Sequence, residues 1–220
     1  MRTEDVDVVL PCLNEAGALP GVLGAIPSGY RAIVVDNGSS DGSQAIAAGL
    51  GALVLTEART GYGAAVHTGL EAATSDVVCF IDADGSLDPG DLPRLVAEVR
   101  MRGADLAVGR RVPAERGVWP WHARAGNRLL AGVLRRQGLP VHDIAAVRAV
   151  RRQALLDLGV ADRAFGYPLE MLIKAGRAGW QVREFDVAYG KRAAGTRSKV
   201  SGSVRGTARA VRDMARVLRS

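Results

Sequence analysis

Two carboxylates separated by one small residue, Asp82-Ala83-Asp84, directly follow the most apolar run of the chain, Val77 to Ile81. At the end of a buried strand they can share a loop and face one site. Two anions beside a dry sheet are costly unless something positive neutralises them. A hard divalent cation held by carboxylate and diphosphate oxygens would do so. The same residues also fit a plain strand-to-helix turn in which Asp88 or Ser86 caps a helix opening at Pro89, so context must decide. Two further polar stretches supply it: Pro11-Cys12-Leu13-Asn14-Glu15 after Leu10, and Asp36-Asn37-Gly38-Ser39-Ser40-Asp41-Gly42 after Val35.

The elements that must position these residues are legible as alternating patterns. Val- and Ile-rich runs at Val6 to Leu10, Ala32 to Val35, Ala52 to Leu55, Val77 to Ile81 and Leu106 to Val108 predict buried strands. Ala-rich helix candidates lie between them, around Ala18 to Ala25, Ser40 to Gly49, Gly63 to Ala73 and Pro89 to Met101. This alternation predicts an α/β fold, a mostly parallel sheet flanked by helices. In such sheets ligands bind beyond the carboxyl ends of the strands, where all three polar stretches fall. The second half is less regular: a helix near Arg124 to Arg136, a short segment near Val141 to Val147, helices near Gln153 to Leu158 and Pro168 to Ala178, and a strand near Val182 to Val187.

The ordered set Pro-x-x-Asn-Glu, then Asp-Asn-Gly-Ser, then Asp-x-Asp resembles the family 2 glycosyltransferases of the GT-A fold, in particular the dolichol- or polyprenyl-phosphate mannosyl- and glucosyltransferase branch. Arg59-Thr60-Gly61-Tyr62-Gly63-Ala64-Ala65 is similar to a glycine-containing element of that branch, and Gly109-Arg110-Arg111 to its Gly-Ser-Arg. Asp143 with Arg148, Glu170 in Tyr167-Pro168-Leu169-Glu170, and Tyr189 through Arg192, Gly195, Ser198 and Lys199 follow in the branch's order. Three departures stand out. Asn37 replaces the second Asp of the usual pair, Ser86 replaces a Gln, and Ile144-Ala145-Ala146-Val147 replaces Thr-Ser-Gly-Phe on the acceptor side.

The resemblance implies a donor site in which Pro11, Asn14, Glu15 and Asp36 line the nucleoside, with Gly63, Ala83 and Arg110 also at the donor. Asp82 would lie near ribose and metal, and Asp84 would ligate Mg2+ or Mn2+ directly. Arg192 and Lys199 would close over the diphosphate. Arg124, Arg148, Glu170 and Ser198 are implied on the acceptor side. Asp143 is a candidate for direct participation there, with pairing to Arg148 or capping of a turn as the alternatives. Residues 1–203 then form one GT-A domain, with a nucleotide-sugar half over 1–110 and an acceptor half with a donor-closing loop over 111–203.

Charge and composition narrow the classes. The net charge of +6 is carried by the C-terminus: residues 191–220 hold nine Lys/Arg against one acid, Asp213, leaving 20 basic and 22 acidic groups in residues 1–190. The body has no global basic face, and no nucleic-acid partner is expected. Arg205, Arg209, Arg212, Arg216 and Arg219 fall at steps of four and three beside Val204, Ala208, Val211, Ala215 and Leu218. That pattern predicts a basic amphipathic helix over 204–220, suited to peripheral contact with anionic lipid or to docking on the domain. Cys12 and Cys79 sit in apolar runs, as buried thiols do. His67, His122 and His142 lack a metal motif. Trp119 and Trp121 flank Pro120 as an apolar rim. The charged start and the absence of a long apolar stretch predict a cytoplasmic protein, peripheral at most on the membrane face.

The function expected is inverting transfer of a mannose- or glucose-type hexose from a GDP- or UDP-sugar to polyprenyl phosphate. A soluble hydroxyl acceptor is the alternative; a catalytically inactive sugar-nucleotide binder or a nucleic-acid-binding module are the non-enzyme readings. A nicotinamide-binding Rossmann enzyme is disfavoured, because Pro-Cys-Leu-Asn-Glu stands where a Gly-rich phosphate turn is needed.

Overall fold

The computed structural model describes residues 6–115, 117–144, 146–193 and 204–218, the last segment with side chains from 210. Seven strands form one sheet: β1 (Val6–Cys12), β2 (Tyr30–Asp36), β3 (Leu53–Thr56), β4 (Val77–Phe80), β5 (Leu106–Pro113), β6 (Val147–Arg151) and β7 (Val182–Tyr189). Their order is β3-β2-β1-β4-β6-β5-β7. All pairings are parallel except those of β6, which runs antiparallel between β4 and β5. The helices are α1 (Leu19–Gly24), α2 (Ser43–Gly49), α3 (Tyr62–Ala72), α4 (Leu92–Met101, after a 3-10 turn at Pro89–Asp91), α5 (Trp121–Arg136), α6 (Arg152–Asp157), α7 (Tyr167–Arg177) and α8 (Val204–Val217).

The near-continuous apolar runs of β1 and β4 are buried because helices cover both faces of the sheet. One core joins Val9, Val35, Phe80 and Val108 to α3, α5, α6, α7 and α8 through residues such as Val66, Leu134, Leu155, Leu172 and Val217. The other joins Val8, Leu10, Cys79 and Ala107 to α1, α2 and α4 through Leu19, Ala47 and Leu95. Both cysteines are buried and unpaired.

Two segments differ from expectation. The short segment expected near Val141 to Val147 is followed by a strand that begins at its last residue, Val147–Arg151. Arg148 in the middle of this strand obscures its apolar character, although its side chain is fully buried. Strand β5 runs past Val108 to Pro113, because Arg110 to Pro113 pair with Asp186 to Tyr189 of β7. Among the described residues no helix is long and apolar enough to cross a membrane.

Since six strands point one way, their ends gather at one edge. The reversed β6 brings its beginning there, so residues 143–147 join the loops after β1, β2, β4, β5 and β7.

Candidate active site

The first two loops at this edge are laced together. Asn14, in the left-handed region at φ 56°, donates its amide to Ser39 Oγ (2.8 Å), while its own Oδ1 accepts from Ser40 N (2.7 Å). The Glu15 amide donates to Ser43 Oγ (3.0 Å) and that of Ala16 to Asp41 Oδ2 (3.0 Å). Asp36 is fully buried at the end of β2. Burial pushes its carboxyl up, but bonds from Ser39, Gln44 and Gly38 outweigh that and hold it below its ordinary range. The amides of Gly38 and Ser39 and the Gln44 side chain all donate to Oδ2, and among the described residues Oδ1 has no hydrogen-bond partner. Pro11 closes β1 beside this pair of loops.

Asn37 has a role its departure from the acidic pair did not suggest. Its Nδ2 donates to the carbonyls of Glu57 (2.9 Å) and Arg59 (2.8 Å), and its Oδ1 accepts from Gly61 N (2.8 Å). Two of these three bonds need a donor that an aspartate lacks. Asn37 thus clamps the loop between β3 and α3. Gly63, expected at the donor, packs tightly: its amide donates to Ala164 O (3.0 Å), and a Cβ there would lie 2.8 Å from Tyr167 Cβ. A Cβ on Gly61, at φ 151°, would run still closer into Arg163 O.

The loop after β4 carries the carboxylate pair. Asp84 is buried; its Oδ1 accepts from Ser86 N (2.9 Å) and its Oδ2 lies 2.6 Å from Arg192 Nη1. The segment after β7 is stitched to the same loop through Gly190 N to Ser86 O (2.8 Å) and Ala193 N to Asp84 O (3.0 Å). The Asp82 carboxyl is pushed up to about 6 by burial and by the charge of Asp84, against the pull of Arg192, Arg111 and Arg148. Ala83 between them is buried. Two oxygen-donor side chains at a strand end, one of them short of compensating positive charge, fit a hard divalent ion. Among the described residues no group of three or more His, Cys, Asp or Glu forms, so the protein's share of such a site is this pair.

Arg111, rather than Arg110, turns toward Asp82. Neighbouring residues on a strand point to opposite faces: Arg110 lies outside in a bidentate pair with Asp186 (2.6 Å for both bonds), away from the expected donor position. Arg111 bonds Asp143 through Nε (2.8 Å), Nη2 (2.7 Å) and its backbone amide (2.9 Å). Its guanidinium centre stacks 4.3 Å from the Trp119 ring centroid and 5.7 Å from that of Tyr189. Asp143 is buried, and its loop is pinned by Glu184, which accepts from the amides of His142 (2.6 Å) and Asp143 (3.0 Å). Asp143 pairs with Arg111; Arg148, its expected alternative partner, donates Nη2 to Ile144 O (2.7 Å).

The remaining expected residues are more dispersed. Glu170 accepts from the amides of Ala161 (3.0 Å) and Asp162 (2.6 Å) and bracelets the loop that packs on Gly61 and Gly63. Arg124 stands on the exposed face of α5. Ser198 and Lys199, with Gly195, lie outside the described residues. Arg111, Trp119, Tyr189 and Glu184 carry much of the geometry without having been singled out for it; strand alternation shows that only one of Arg110 and Arg111 can face the site.

Comparison with known proteins agrees with this arrangement. Residues 7–159 match the family described as Glycosyl transferase family 2. An uncharacterized glycosyltransferase of Mycobacterium tuberculosis is 57% identical over 219 residues, covering 99% of this chain and 100% of that protein. An undecaprenyl-phosphate mannosyltransferase of Micrococcus luteus is 32% identical over 226 residues, covering 91% and 89%. Among solved structures, glucosyl-3-phosphoglycerate synthase from Mycobacterium tuberculosis, in complex with Mn2+, UDP and phosphoglyceric acid, superposes with a TM-score of 0.78 at 25% identity, covering 98% of this chain and 78% of that one. The sheet is accordingly a GT-A sheet, and the chain belongs to glycosyl transferase family 2.

Proposed function

We propose that this glycosyltransferase moves a hexosyl group from a UDP- or GDP-sugar, with inversion, onto a phosphate-bearing acceptor, and that the acceptor is polyprenyl phosphate. The observation that carries this reading is the convergence of three guanidiniums, of Arg111, Arg148 and Arg192, on the Asp82 and Asp84 pair. With Asp143, which already pairs with Arg111, the site holds three guanidiniums against three carboxylates, so a bound divalent ion would supply the surplus positive charge that a diphosphate and a second anion need together. The related mannosyltransferase is named for a polyprenyl phosphate and the solved synthase was captured with phosphoglyceric acid. Both molecules carry a phosphate, and the soluble one supplies the second reading.

In this mechanism Asp84 and Asp82 would hold Mg2+ or Mn2+, which when bound offsets the charge of the donor diphosphate. Asp36 and the laced loops bind the nucleoside, Asp36 Oδ1 being the acceptor left over for it. Arg192 moves its guanidinium from Asp84 to the diphosphate oxygens as negative charge builds on the leaving group. Arg111, held rigid by Asp143 and Trp119, orients the acceptor phosphate. A phosphate oxygen is already anionic and attacks without a general base, so Asp143 acts as a positioning residue, consistent with its commitment to Arg111.

The test is transfer from labelled GDP- and UDP-sugars to polyprenyl phosphate or phosphoglycerate, with Mg2+, Mn2+ or EDTA, beside Asp84→Ala. Labelled lipid that vanishes in Asp84→Ala and in EDTA is expected. Labelled phosphoglycerate alone would replace the lipid by the soluble acceptor, and nucleotide release from no donor would overturn the transferase reading.

A further inference from the structure

The outer face of α5 belongs to none of this chemistry. Over Trp121–Arg136 the helix contains no acidic residue. Its inner face buries Asn127, Ala131 and Leu134, and Asn127 ties it to the acceptor loop by accepting from Ile144 N (3.1 Å). The opposite face exposes Trp121 (80%) and Leu129 (71%), among the most exposed large apolar residues described. Arg124, Arg128 and Arg136 are exposed around them, with only Ala125 and Gly132 on the surface between. Trp121 and Leu129, about two turns apart on this face, are large apolar side chains held in water and rimmed by cations, the composition of an interaction surface.

We infer that this face of α5 docks on an anionic lipid bilayer surface. An indole and an isobutyl group at one level suit the boundary between headgroups and acyl chains, and the arginines can bury their stems while keeping guanidiniums at the phosphates. Charge complementarity selects the occupant. A second copy of this acid-free face would meet like charge, and a free phosphate has no use for the apolar pair. The placement adds direction: α5 starts two residues after Trp119, whose ring stacks on Arg111, so a bilayer on this face lies at the mouth of the proposed acceptor side. Docking goes beyond the transferase reading and would hold with a soluble acceptor as well.

The experiment is co-sedimentation of the full chain with vesicles of phosphatidylcholine alone or containing phosphatidylglycerol. Trp121→Ser/Leu129→Ser and Arg128→Gln/Arg136→Gln are compared with wild type, all positions being exposed. Binding to the anionic vesicles is expected, weakened roughly tenfold or more in the apolar variant. In the arginine variant, about fivefold is lost per residue together with part of the salt dependence. Nucleotide release from a sugar donor, which needs no lipid, separates this outcome from failure of the transferase. The inference is overturned if the α5 variants bind like wild type, if binding is lost only on removing residues 204–220, if wild type ignores anionic vesicles but binds a nucleic-acid duplex, or if Trp121→Ser/Leu129→Ser merely dissociates a dimer.

Discussion

Restoring the acidic pair of the resembling family, by Asn37→Asp, should weaken this protein. The aspartate keeps the bond from Gly61 N but cannot donate to the carbonyls of Glu57 and Arg59, 2.9 and 2.8 Å from the amide nitrogen. Two lost bonds at about 1 kcal/mol each, with a carboxylate now facing two carbonyl oxygens at a half-exposed site, give a loss of roughly 2–3 kcal/mol. For a chain of this size that lowers Tm by roughly 5–10 °C. The new carboxyl is stabilised by a proton it can donate, so its pKa in the folded state lies above the unfolded value. The deficit is therefore smallest at low pH and grows as pH rises through the folded pKa. Thermal unfolding of wild type and Asn37→Asp across pH 4 to 8 is the assay, with the KM for the sugar nucleotide as a second readout because Asn37 follows directly on Asp36, proposed to take the nucleoside. An unchanged Tm with tighter donor binding would refute the clamp and make residue 37 a direct reader of the nucleotide.

Two further outcomes follow from buried carboxylates. Asp143→Asn should raise the acceptor KM by roughly 10–100-fold through misplacement of Arg111 while leaving the pH profile of kcat unmoved; a lost limb of that profile would instead make Asp143 the base. Asp7 is buried, yet its carboxyl is held below its ordinary 3.8, because bonds from Arg31 and from the amides of Ser75 and Thr74 outweigh the upward push of burial. A depressed pKa contributes stability above the unfolded value that is lost as pH falls through the folded one. Asp7→Asn should therefore cost about 2 kcal/mol at neutral pH, with the gap to wild type narrowing below pH 4; calorimetry showing a constant gap would contradict this account.

The strands were legible wherever burial on both faces demanded unbroken Val and Ile, as in β1 and β4. Asp82 and Asp84 stood out because charge at the end of such a run is costly. Strand β6 was obscured by Arg148, whose burial is compensated by tertiary neighbours that no local pattern reveals. The extension of β5 is set by its pairing with β7 rather than by its own residues. Which of Arg110 and Arg111 faces the site depends on the register of a sheet assembled from distant segments. The donors of Asn37 likewise acquire meaning only when Glu57 and Arg59 are brought to them. The expected stripe of Val204, Ala208, Val211, Ala215 and Leu218 does fall on a helix, but Val211 and Leu218 are exposed, and it is another side, with Ala210, Asp213 and Val217 buried, that docks on the domain.

The reversed strand β6 divides the molecule for the purposes of evolutionary change. The loops proposed to take the nucleoside are fastened to one another by Asn14, Ser39, Ser40, Asp41 and Ser43, a set of interlocked bonds. The stretch leading into β6 is fastened to other elements: to Arg111 on β5, Glu184 on β7 and Asn127 on α5. On the proposed reading the two sets share no fastening residue, so substitutions in β5, β7 or α5 would reshape the acceptor side while leaving the laced loops that face the donor as they are.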